Sequence, residues 1–504
     1  MKKSITLSLA VMTTMAFGAS NSDLAAMKAE IAALKAEVAA MKGAKADSED
    51  SSSAIAKLTQ KVNEIKEHDA NDNIKWGVDL RTAVDSLNYK MADGSKKSND
   101  SLLTNRLWLN MAYAPDANNI FKGQLSYNKA FGADFGGNGT GAMPRGWGMD
   151  TFDWITNESL TGNDLKVRQA YWLYMADKMG EAEIPWTVSF GRRPSTNGFL
   201  ANLRDDDEAQ SPLGHIINVE FDGASASANL GNVTGVPGMS FKLCLGQGST
   251  NATPMFGGST NYTDDENDID DIMLAGFIFV PYDDGQFIVK TTAFRAFDLP
   301  GYNGVNMMEA MSGMDMNADG AIGKMSQAGD IDGAAISVLV DGIGDDGILS
   351  ETKLFGSFAM SRTNPKGGLD ADMMPYNMLG SSDSKTGTSY WLGAQVPVLG
   401  GDLGLEFNHG SKYWRPFDYG EGTMAGSKLA VRGDAWEAYY TYPITQALSA
   451  QLRYTYLDYD YSGSNNFFGM DGTPMTMEEA NMMHMGGMVV DKASDLRFYV
   501  RYRF

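Results

Sequence analysis

The last ten residues of the chain, 495–504, alternate between apolar and polar side chains from position 496 onward. Side chains alternate faces along a β-strand, so one face of this segment suits an apolar medium and the other suits water. The apolar face is mostly aromatic, which favours a membrane strand over a strand of a water-soluble sandwich. The apolar face consists of Leu496, Phe498, Val500, Tyr502 and Phe504, and the polar face of Arg497, Tyr499, Arg501 and Arg503.

The same two-residue period recurs along most of the chain. It is present in segments 106–113, 121–128, 217–222, 241–245, 390–396, 403–408, 436–442 and 451–456. Apolar residues facing outward and polar residues facing inward are typical of a membrane β-barrel. The pattern predicts an all-β transmembrane barrel with antiparallel strands, about 16 to 18 in number. A set of soluble sandwiches or a propeller is the alternative.

The predicted connections fall into short turns and long loops. The short turns are rich in Gly, Pro, Asn and Asp, which is turn chemistry, and lie at 115–118, 181–183, 281–285, 399–402 and 443–445. The long segments lie near 131–163, 194–214, 298–350 and 461–491. The strict alternation of short and long is lost near 231–268 and 298–385, where residues 335–340 could form a further strand. Either 131–163 or 298–350 is long enough to fold inward and narrow a pore.

The N-terminal part of the chain has a different sequence pattern. Residues 1–20 combine two lysines, an apolar core and small residues, as in a secretory signal peptide. Residues 24–41 place apolar side chains at alternating spacings of three and four, and 55–65 carry a second, out-of-phase seam. This spacing predicts a coiled coil within 21–72, or a helix lying on the barrel of its own chain. The barrel then occupies 73–504.

The composition restricts the partners of the chain. Its 504 residues include 63 acidic and 41 basic side chains, for a formal charge of −22. Nucleic acid is not an expected partner, because phosphate binding needs a basic surface. Cys244 is the single cysteine, so no intramolecular disulfide is available.

Taken together, these features resemble the outer-membrane β-barrel proteins of Gram-negative bacteria. The chain is most similar to the coiled-coil-prefixed, porin-like family of ε-class proteobacteria, which is catalogued as a domain of unknown function. The resemblance implies a porin-like role in outer-membrane lipid and supplies no substrate. Because many porins are trimers, a homotrimer is expected. The periplasmic coiled coil could also contact the cell wall. The resemblance also implies recognition of the final strand, with Phe498, Val500, Tyr502 and Phe504, by the barrel-assembly machinery.

Strand alternation predicts which side chains line the barrel. Basic side chains in a pore favour anions, so the prediction is an anion-leaning channel; the alternative is that these charges pair with one another. The predicted lining residues are Arg106, Lys122, Arg168, Lys242, Lys290, Arg453, Arg497, Arg501 and Arg503, with Glu406 and Glu437, and with Asp79, Glu220 and Asp222 as further acids.

Three loop motifs carry other chemistry. Asp315, Asn317 and Asp319 have the spacing of the first ligands of a calcium loop, although a merely acidic loop is the alternative. Met470 to Met488 surround His484, which suggests either Cu(I) ligands or an apolar loop lining. His409 and Ser411 share one strand face, and this His-x-Ser pair resembles that of the outer-membrane phospholipase A family, a class of lipid hydrolase. A nucleophile also needs a base within reach. No cofactor is expected otherwise.

The function expected from these features is diffusion of small hydrophilic solutes or ions through an outer-membrane channel, and the protein is not expected to be an enzyme. Two other classes remain open. One is a structural protein that tethers the envelope through its coiled coil. The other is an outer-membrane lipid hydrolase.

Overall fold

The computed structural model describes residues 74–132, 160, 165–193, 197–256, 260–264, 269–302, 304–316, 318, 323, 325–344, 346–366, 377–418, 423–464 and 471–504. The chain divides into two units, Met1–Asp72 and Asn73–Phe504. The first unit lies outside the described residues, so the signal peptide and the coiled coil remain predictions.

Sixteen of the strands in the described residues form one closed barrel. These barrel strands are β1 (Lys75–Met91), β2 (Lys96–Tyr113), β3 (Asn119–Ala130), β4 (Lys166–Ala176), β5 (Trp186–Arg193), β9 (Phe221–Asn229), β10 (Ser240–Gln247), β11 (Met273–Asp283), β12 (Phe287–Gly301), β13 (Ser326–Asp341), β14 (Lys353–Pro365), β15 (Thr386–Val398), β16 (Gly401–Gly410), β18 (Gly433–Pro443), β19 (Leu448–Tyr459) and β20 (Val490–Arg503).

Each barrel strand pairs antiparallel with the next, and β1 pairs with β20 to close the ring. The predicted fold class is therefore confirmed, with the strand count at the lower limit of the expected range. Residues 335–340 lie within β13, so the predicted loop 298–350 is wrong as one continuous segment. The five predicted short turns all join consecutive barrel strands at one end of the barrel, which we call the turn end. The opposite end, which carries the long connections, is the loop end.

Solvent exposure alternates along the strands as the sequence predicts. In β20, Leu496 and Phe498 are 46% and 45% exposed, whereas Arg497 and Arg501 are 1% and 3% exposed. The exposed side chains form an apolar outer wall and the buried polar ones face the interior. A side-chain pattern of this kind matches lipid outside and a polar lumen.

One predicted strand is wrong. Alternation over 217–222 predicts Ile217, Val219 and Phe221 on the outer wall, but all three are buried. Phe221 stacks on the interior ring of Phe417 at 6.0 Å, and Asp222, predicted to line the lumen, instead has a side chain that is 58% exposed. The pattern marks two unlike faces correctly, but here the apolar face meets an apolar core inside the barrel.

The remaining elements are short. Two small parallel sheets are formed by β6 (Gly198–Phe199) with β7 (Gln210–Leu213), and by β8 (Ile217–Asn218) with β17 (Phe417–Asp418). The helices of the described residues are α1 (Gly231–Thr234), α2 (Gly304–Ser312) and α3 (Met477–Met482), with 3-10 turns at Ala201–Asp205 and Ile348–Glu351. Within the described ranges, every helix is too short or too polar to span a membrane.

The chain end closes the barrel at the turn end. The Phe504 and Val78 backbones exchange two hydrogen bonds of 3.0 Å, and the Phe504 ring meets Tyr502 edge-on at 5.5 Å. Since the ring is an apolar contact of the outer wall, Phe504→Ala is expected to lower the free energy of unfolding in lipid by about 1–2 kcal/mol. It should also reduce the fraction of folded barrel recovered in outer membranes, measured by heat-modifiable gel migration.

Phe287→Ala is the matched control for this prediction. Phe287 is likewise exposed, at 44%, and starts a strand at the turn end, but it lies far from the chain end. Equal assembly of the two variants would contradict a special role for the terminal residue in assembly.

Candidate functional site

A segment of the chain folds into the barrel and is the centre of the candidate site. This inner segment, residues 197–219, joins β5 to β9 at the loop end. Leu200, Leu213, His215 and Ile216 are each 0% exposed. The described part of the predicted loop 194–214, residues 197–214, thus lies largely inside the barrel. Segment 131–163 lies almost entirely outside the described residues, so its expected inward fold stays a prediction. The segment that the structure describes inside the barrel is 197–219.

One side of the inner segment is apolar and packs against the wall from β11 to β15. Its Leu200, Leu213 and Ile216 belong to the same buried cluster as wall side chains from six strands, β9 and β11 to β15, and three side chains of the connection after β16. We call that connection, residues 411–418 and 423–432, the cover segment. The wall and cover residues of this cluster include Leu274, Phe294, Ile331, Phe355, Trp391, Trp414, Phe417 and Leu429.

His215 fixes the inner segment within this apolar region. Its Nδ1 lies 2.8 Å from Ser357 Oγ and its Nε2 lies 2.9 Å from Ser389 Oγ. Both ring nitrogens therefore have hydroxyl partners on the wall, as a buried polar side chain requires. The ring also lies 5.7 Å from the rings of Trp391 and Trp414. Its position indicates a structural role.

The tip of the inner segment, residues 205–207, consists of three aspartates and contacts the opposite wall. Tyr499 donates a 3.0 Å hydrogen bond to Asp205, and Arg81 lies 3.7 Å from the same carboxylate. Two further side chains of β20, Arg501 and Arg503, complete the contact. We call this group of wall residues (Arg81, Tyr499, Arg501 and Arg503) the cradle. It lies on the two strands that close the barrel.

A second polar centre joins the inner segment, the cover segment and the wall. Glu437 on β18 forms ion pairs with Lys428 of the cover segment and, at 3.5 Å, with Arg204 of the inner segment. Thr455 donates a 2.6 Å hydrogen bond to the other carboxylate oxygen. Arg453 lies 3.9 Å from that oxygen. Glu437 is therefore a hub between three parts of the chain.

All predicted lining residues except Asp222 are found on the interior face, and most pair with charges of opposite sign. Lys122 is half-buried on the same face of β3 as Gln124. Lys242 donates a 2.6 Å hydrogen bond to Ser211, and Lys290 lies 4.4 Å from the centre of the Phe199 ring. The ion pairs are Arg106–Asp79 at 3.2 Å, Arg168–Glu220 at 2.8 Å, Arg453–Glu437 at 3.9 Å, Arg497–Asp85 at 3.5 Å, Arg501 with Asp79 and Asp207, Arg503–Asp206 at 2.8 Å and Glu406–Lys428 at 2.6 Å.

Sequence reasoning missed several interior residues. Arg81 has the same strand parity as Asp79 and could have been found by the same rule. Arg204 and Lys428 lie in connections, for which strand parity gives no prediction. The signal for an inward fold was the apolar content of 197–219, including Phe199, Leu200 and Leu203, which is unusual for a loop exposed to water.

The loop motifs are described only in part. Asp315 is exposed, whereas Asn317 and Asp319 lie outside the described residues. Among the described residues, no group of three His, Cys, Asp or Glu side chains is placed to hold a metal ion. The calcium loop therefore remains a prediction. In the methionine-rich connection, Met475, Met477 and Met485 pack with Ala480 and Val489 in a small apolar core.

The His409 and Ser411 pair is not arranged as a nucleophile and its base. His409 Nδ1 lies 2.7 Å from Asp434 Oδ1, and its ring stacks on Tyr390 at 5.2 Å. Ser411 Oγ accepts a 2.9 Å hydrogen bond from the backbone of Thr388. Each side chain therefore has its own partners, and packing and the geometry of the strand ends explain these contacts.

Comparisons with known proteins give one family and several solved barrels. The model of a family described as "Protein of unknown function (DUF3373)" matches residues 96–504. An anion-selective porin from Comamonas acidovorans is 12% identical, with a TM-score of 0.45, covering 86% of this chain and 99% of that one. OprB of Pseudomonas putida in a high-pH structure is 11% identical, with a TM-score of 0.43, covering 88% and 96%. OmpF of Salmonella typhi in a complex with daunomycin is 12% identical, with a TM-score of 0.42, covering 86% and 99%. No curated protein matches the sequence.

Proposed function

The chain belongs to the DUF3373 family of proteins of unknown function, and from its geometry we propose that it is a gated outer-membrane channel for small hydrophilic solutes. The inner segment is the gate. In the arrangement described above, the inner segment holds the interior closed. Solutes pass when its acidic tip leaves the cradle.

This proposal rests on a difference between the two sides of the inner segment, one of which is held by apolar contacts and the other by polar contacts. Toward β11–β15 the inner segment is held by apolar side chains, and exposing these to water costs roughly 25 cal/mol per Å² of apolar surface. Toward β1 and β20 it is held by hydrogen bonds and ion pairs, which exchange with water and dissolved salt. Arg503 is 45% exposed and Asp206 is 82% exposed, so water already reaches this side. A passage therefore opens at the polar contact while the apolar side stays in place.

The wall beside this passage favours anions. The cradle carries Arg81, Arg501 and Arg503, with Arg106 and Asp79 next to them. In the closed arrangement the tip supplies the balancing carboxylates. When the tip withdraws, the wall at this height is net basic, and a basic lining favours anions.

The setting of the channel is part of the same proposal. The apolar outer wall and the apolar, aromatic end of β20 fit outer-membrane lipid and assembly by the machinery that inserts such barrels. We place the turn end in the periplasm. The predicted coiled coil of residues 21–72 is likewise proposed to be periplasmic. A homotrimer would join three such coils.

The test is single-channel conductance of the full chain in a planar bilayer under a salt gradient. Replacing residues 204–207 with a Gly-Ser linker of equal length removes the tip contacts, so the variant is expected to show frequent stepwise currents where the wild type is mostly closed. The reversal potential should indicate anion preference, and a trimer should close in three steps. Replacing residues 444–447, a turn at the same end, is the control and should leave the wild-type behaviour unchanged.

The burial of the interior favours a second candidate, a closed structural barrel that tethers the envelope through its coiled coil. Arg453, Arg497 and Glu437 are each at most 3% exposed, as in a packed core. A silent linker variant that is fully folded would support this candidate and would contradict the channel.

A further inference from the structure

The cradle holds three consecutive carboxylates, each through its own combination of donors. Asp205 is bound by Tyr499 and Arg81, and Asp206 pairs with Arg503 at 2.8 Å. Asp207 pairs with Arg501 and lies 3.5 Å from Arg503. We propose that the cradle is a binding site for a small multivalent oxyanion, a polycarboxylate or a phosphate compound, and that the tip occupies it as a tethered competitor. This inference rests on the proposed channel, because it names the class of solute that the gated interior receives.

The cradle has the chemistry that such an anion needs. The planar guanidinium groups of arginine donate paired hydrogen bonds that match the oxygens of carboxylates and phosphates. The Tyr499 hydroxyl adds a neutral donor to these groups. Arg503 also donates a 2.6 Å hydrogen bond to the backbone oxygen of Asp206. The tip therefore presents carboxylate and carbonyl oxygens to hydrogen-bond donors of the cradle, and the same donors could bind the oxygens of a free anion.

The wall itself holds the cradle in place. Arg501 Nε donates a 2.9 Å hydrogen bond to Asp79, which also pairs with Arg106 at 3.2 Å. Arg81 lies over the Tyr499 ring, 5.4 Å from its centre. Arg81 and Arg501 are direct partners in the register of β1 and β20. Because these contacts lie within the paired strands, the donors remain oriented when the tip leaves.

An anion reaches the cradle from the turn end. Arg503 and Asp206 are the exposed members of the contact, whereas Arg81 and Asp205 are buried behind them. A solute arriving at the turn end therefore meets Arg503 first and can displace the tip stepwise. The tip is tethered, so a free anion competes against a local concentration of the order of millimolar. Binding to the wild type is expected to be weak for this reason.

The experiment measures binding to the full chain folded in detergent, by titration calorimetry with citrate and, separately, with pyrophosphate. The variant carries Asp205→Asn, Asp206→Asn and Asp207→Asn together, which keeps the shape of the tip and removes its charge. Its affinity for at least one of the two anions is expected to exceed that of the wild type by about tenfold or more. Stronger binding of citrate would identify a carboxylate solute, and stronger binding of pyrophosphate a phosphate solute.

Two controls define the site. Glu208→Gln removes the next acidic charge, at an exposed residue that is not among the described contacts of the cradle, and should bind as the wild type does. Adding Arg501→Gln to the triple variant should abolish the gain. Heat-modifiable migration reports folding of each barrel, and if the triple variant does not fold, Asp206→Asn alone, at the most exposed tip residue, should still raise affinity by a smaller factor.

The outcomes separate this inference from the channel proposal. A folded triple variant, or the folded single variant in its place, that binds both anions no more tightly than the wild type would overturn the cradle as an anion site. If the linker variant conducts in that case, the channel proposal stands without it. A silent linker variant together with tight anion binding would overturn the channel and leave an anion site at the turn end.

Discussion

Replacing Glu437 with Gln is expected to lower the free energy of unfolding by about 3–5 kcal/mol, because it leaves buried cations without their shared carboxylate. Glu437 contacts Lys428, Arg204 and Arg453, and the side chains of all four residues are at most 4% exposed. Gln keeps the volume of Glu and can still accept a hydrogen bond from Thr455. The decrease in the free energy of unfolding therefore measures the effect of removing the charge and not a change in packing. Guanidinium titration of the folded barrel in lipid, followed by tryptophan fluorescence, measures it.

An exposed ion pair provides the control for Glu437. Lys178 and Glu183 are 3.4 Å apart, with side chains 61% and 74% exposed, in the turn between β4 and β5. Glu183→Gln removes the same charge in water and should cost less than about 1 kcal/mol. If Glu437→Gln unfolds at the same denaturant concentration as Glu183→Gln, the buried ion pairs do not hold the inner and cover segments in the barrel.

The strands of this barrel could be predicted from the sequence because their signal is local. A period of two over six to ten residues is visible in any window of the chain, and the turn residues that follow mark where each strand ends. Trp436, Tyr440 and Leu452 lie on the outer wall, and Glu437 and Arg453 face inward, as their parity predicts. Nothing beyond a short stretch of residues was needed for these assignments.

The filling of the interior could not be predicted in this way. The contact between Tyr499 and Asp205 joins residues 294 positions apart, and that between Gln451 and Arg204 joins residues 247 positions apart. No local period encodes such pairs. Alternation also leaves open which medium each face meets. The alternation over residues 217–222 therefore predicts a lipid-facing strand, although Ile217 packs inside the barrel.

The lining charges illustrate the same limit. Their position on the interior face followed from parity, and both an anion-leaning pore and mutual pairing were consistent with it. The structure adds their partners, and among these Asp205, Asp206, Asp207 and Lys428 come from connections. These connections supply charges opposite to those of their partners on the wall. Under the proposed gating, a preference for anions would therefore be a property of the open state.

Leu405→Arg is expected to destabilise the barrel in lipid by about 2–4 kcal/mol, because an Arg near the bilayer midplane loses its hydration. Leu405 is 54% exposed, lies midway along β16 and points to the outer wall between Ala394 and Ala438 of the neighbouring strands. Small neighbours leave room for the longer side chain, so steric strain contributes little. Guanidinium titration of barrels folded into lipid vesicles measures the effect.

The control lies a few residues away. Leu399 is 89% exposed in the turn that precedes β16, beyond the apolar wall. Leu399→Arg places the same charge in water or among lipid headgroups and should cost about 0–1 kcal/mol. Equal, small costs at both positions would mean that β16 does not face lipid, which would contradict a membrane-spanning barrel. A large difference places the midpoint of β16 in the hydrocarbon, and with it the cradle at one mouth of a membrane-spanning barrel.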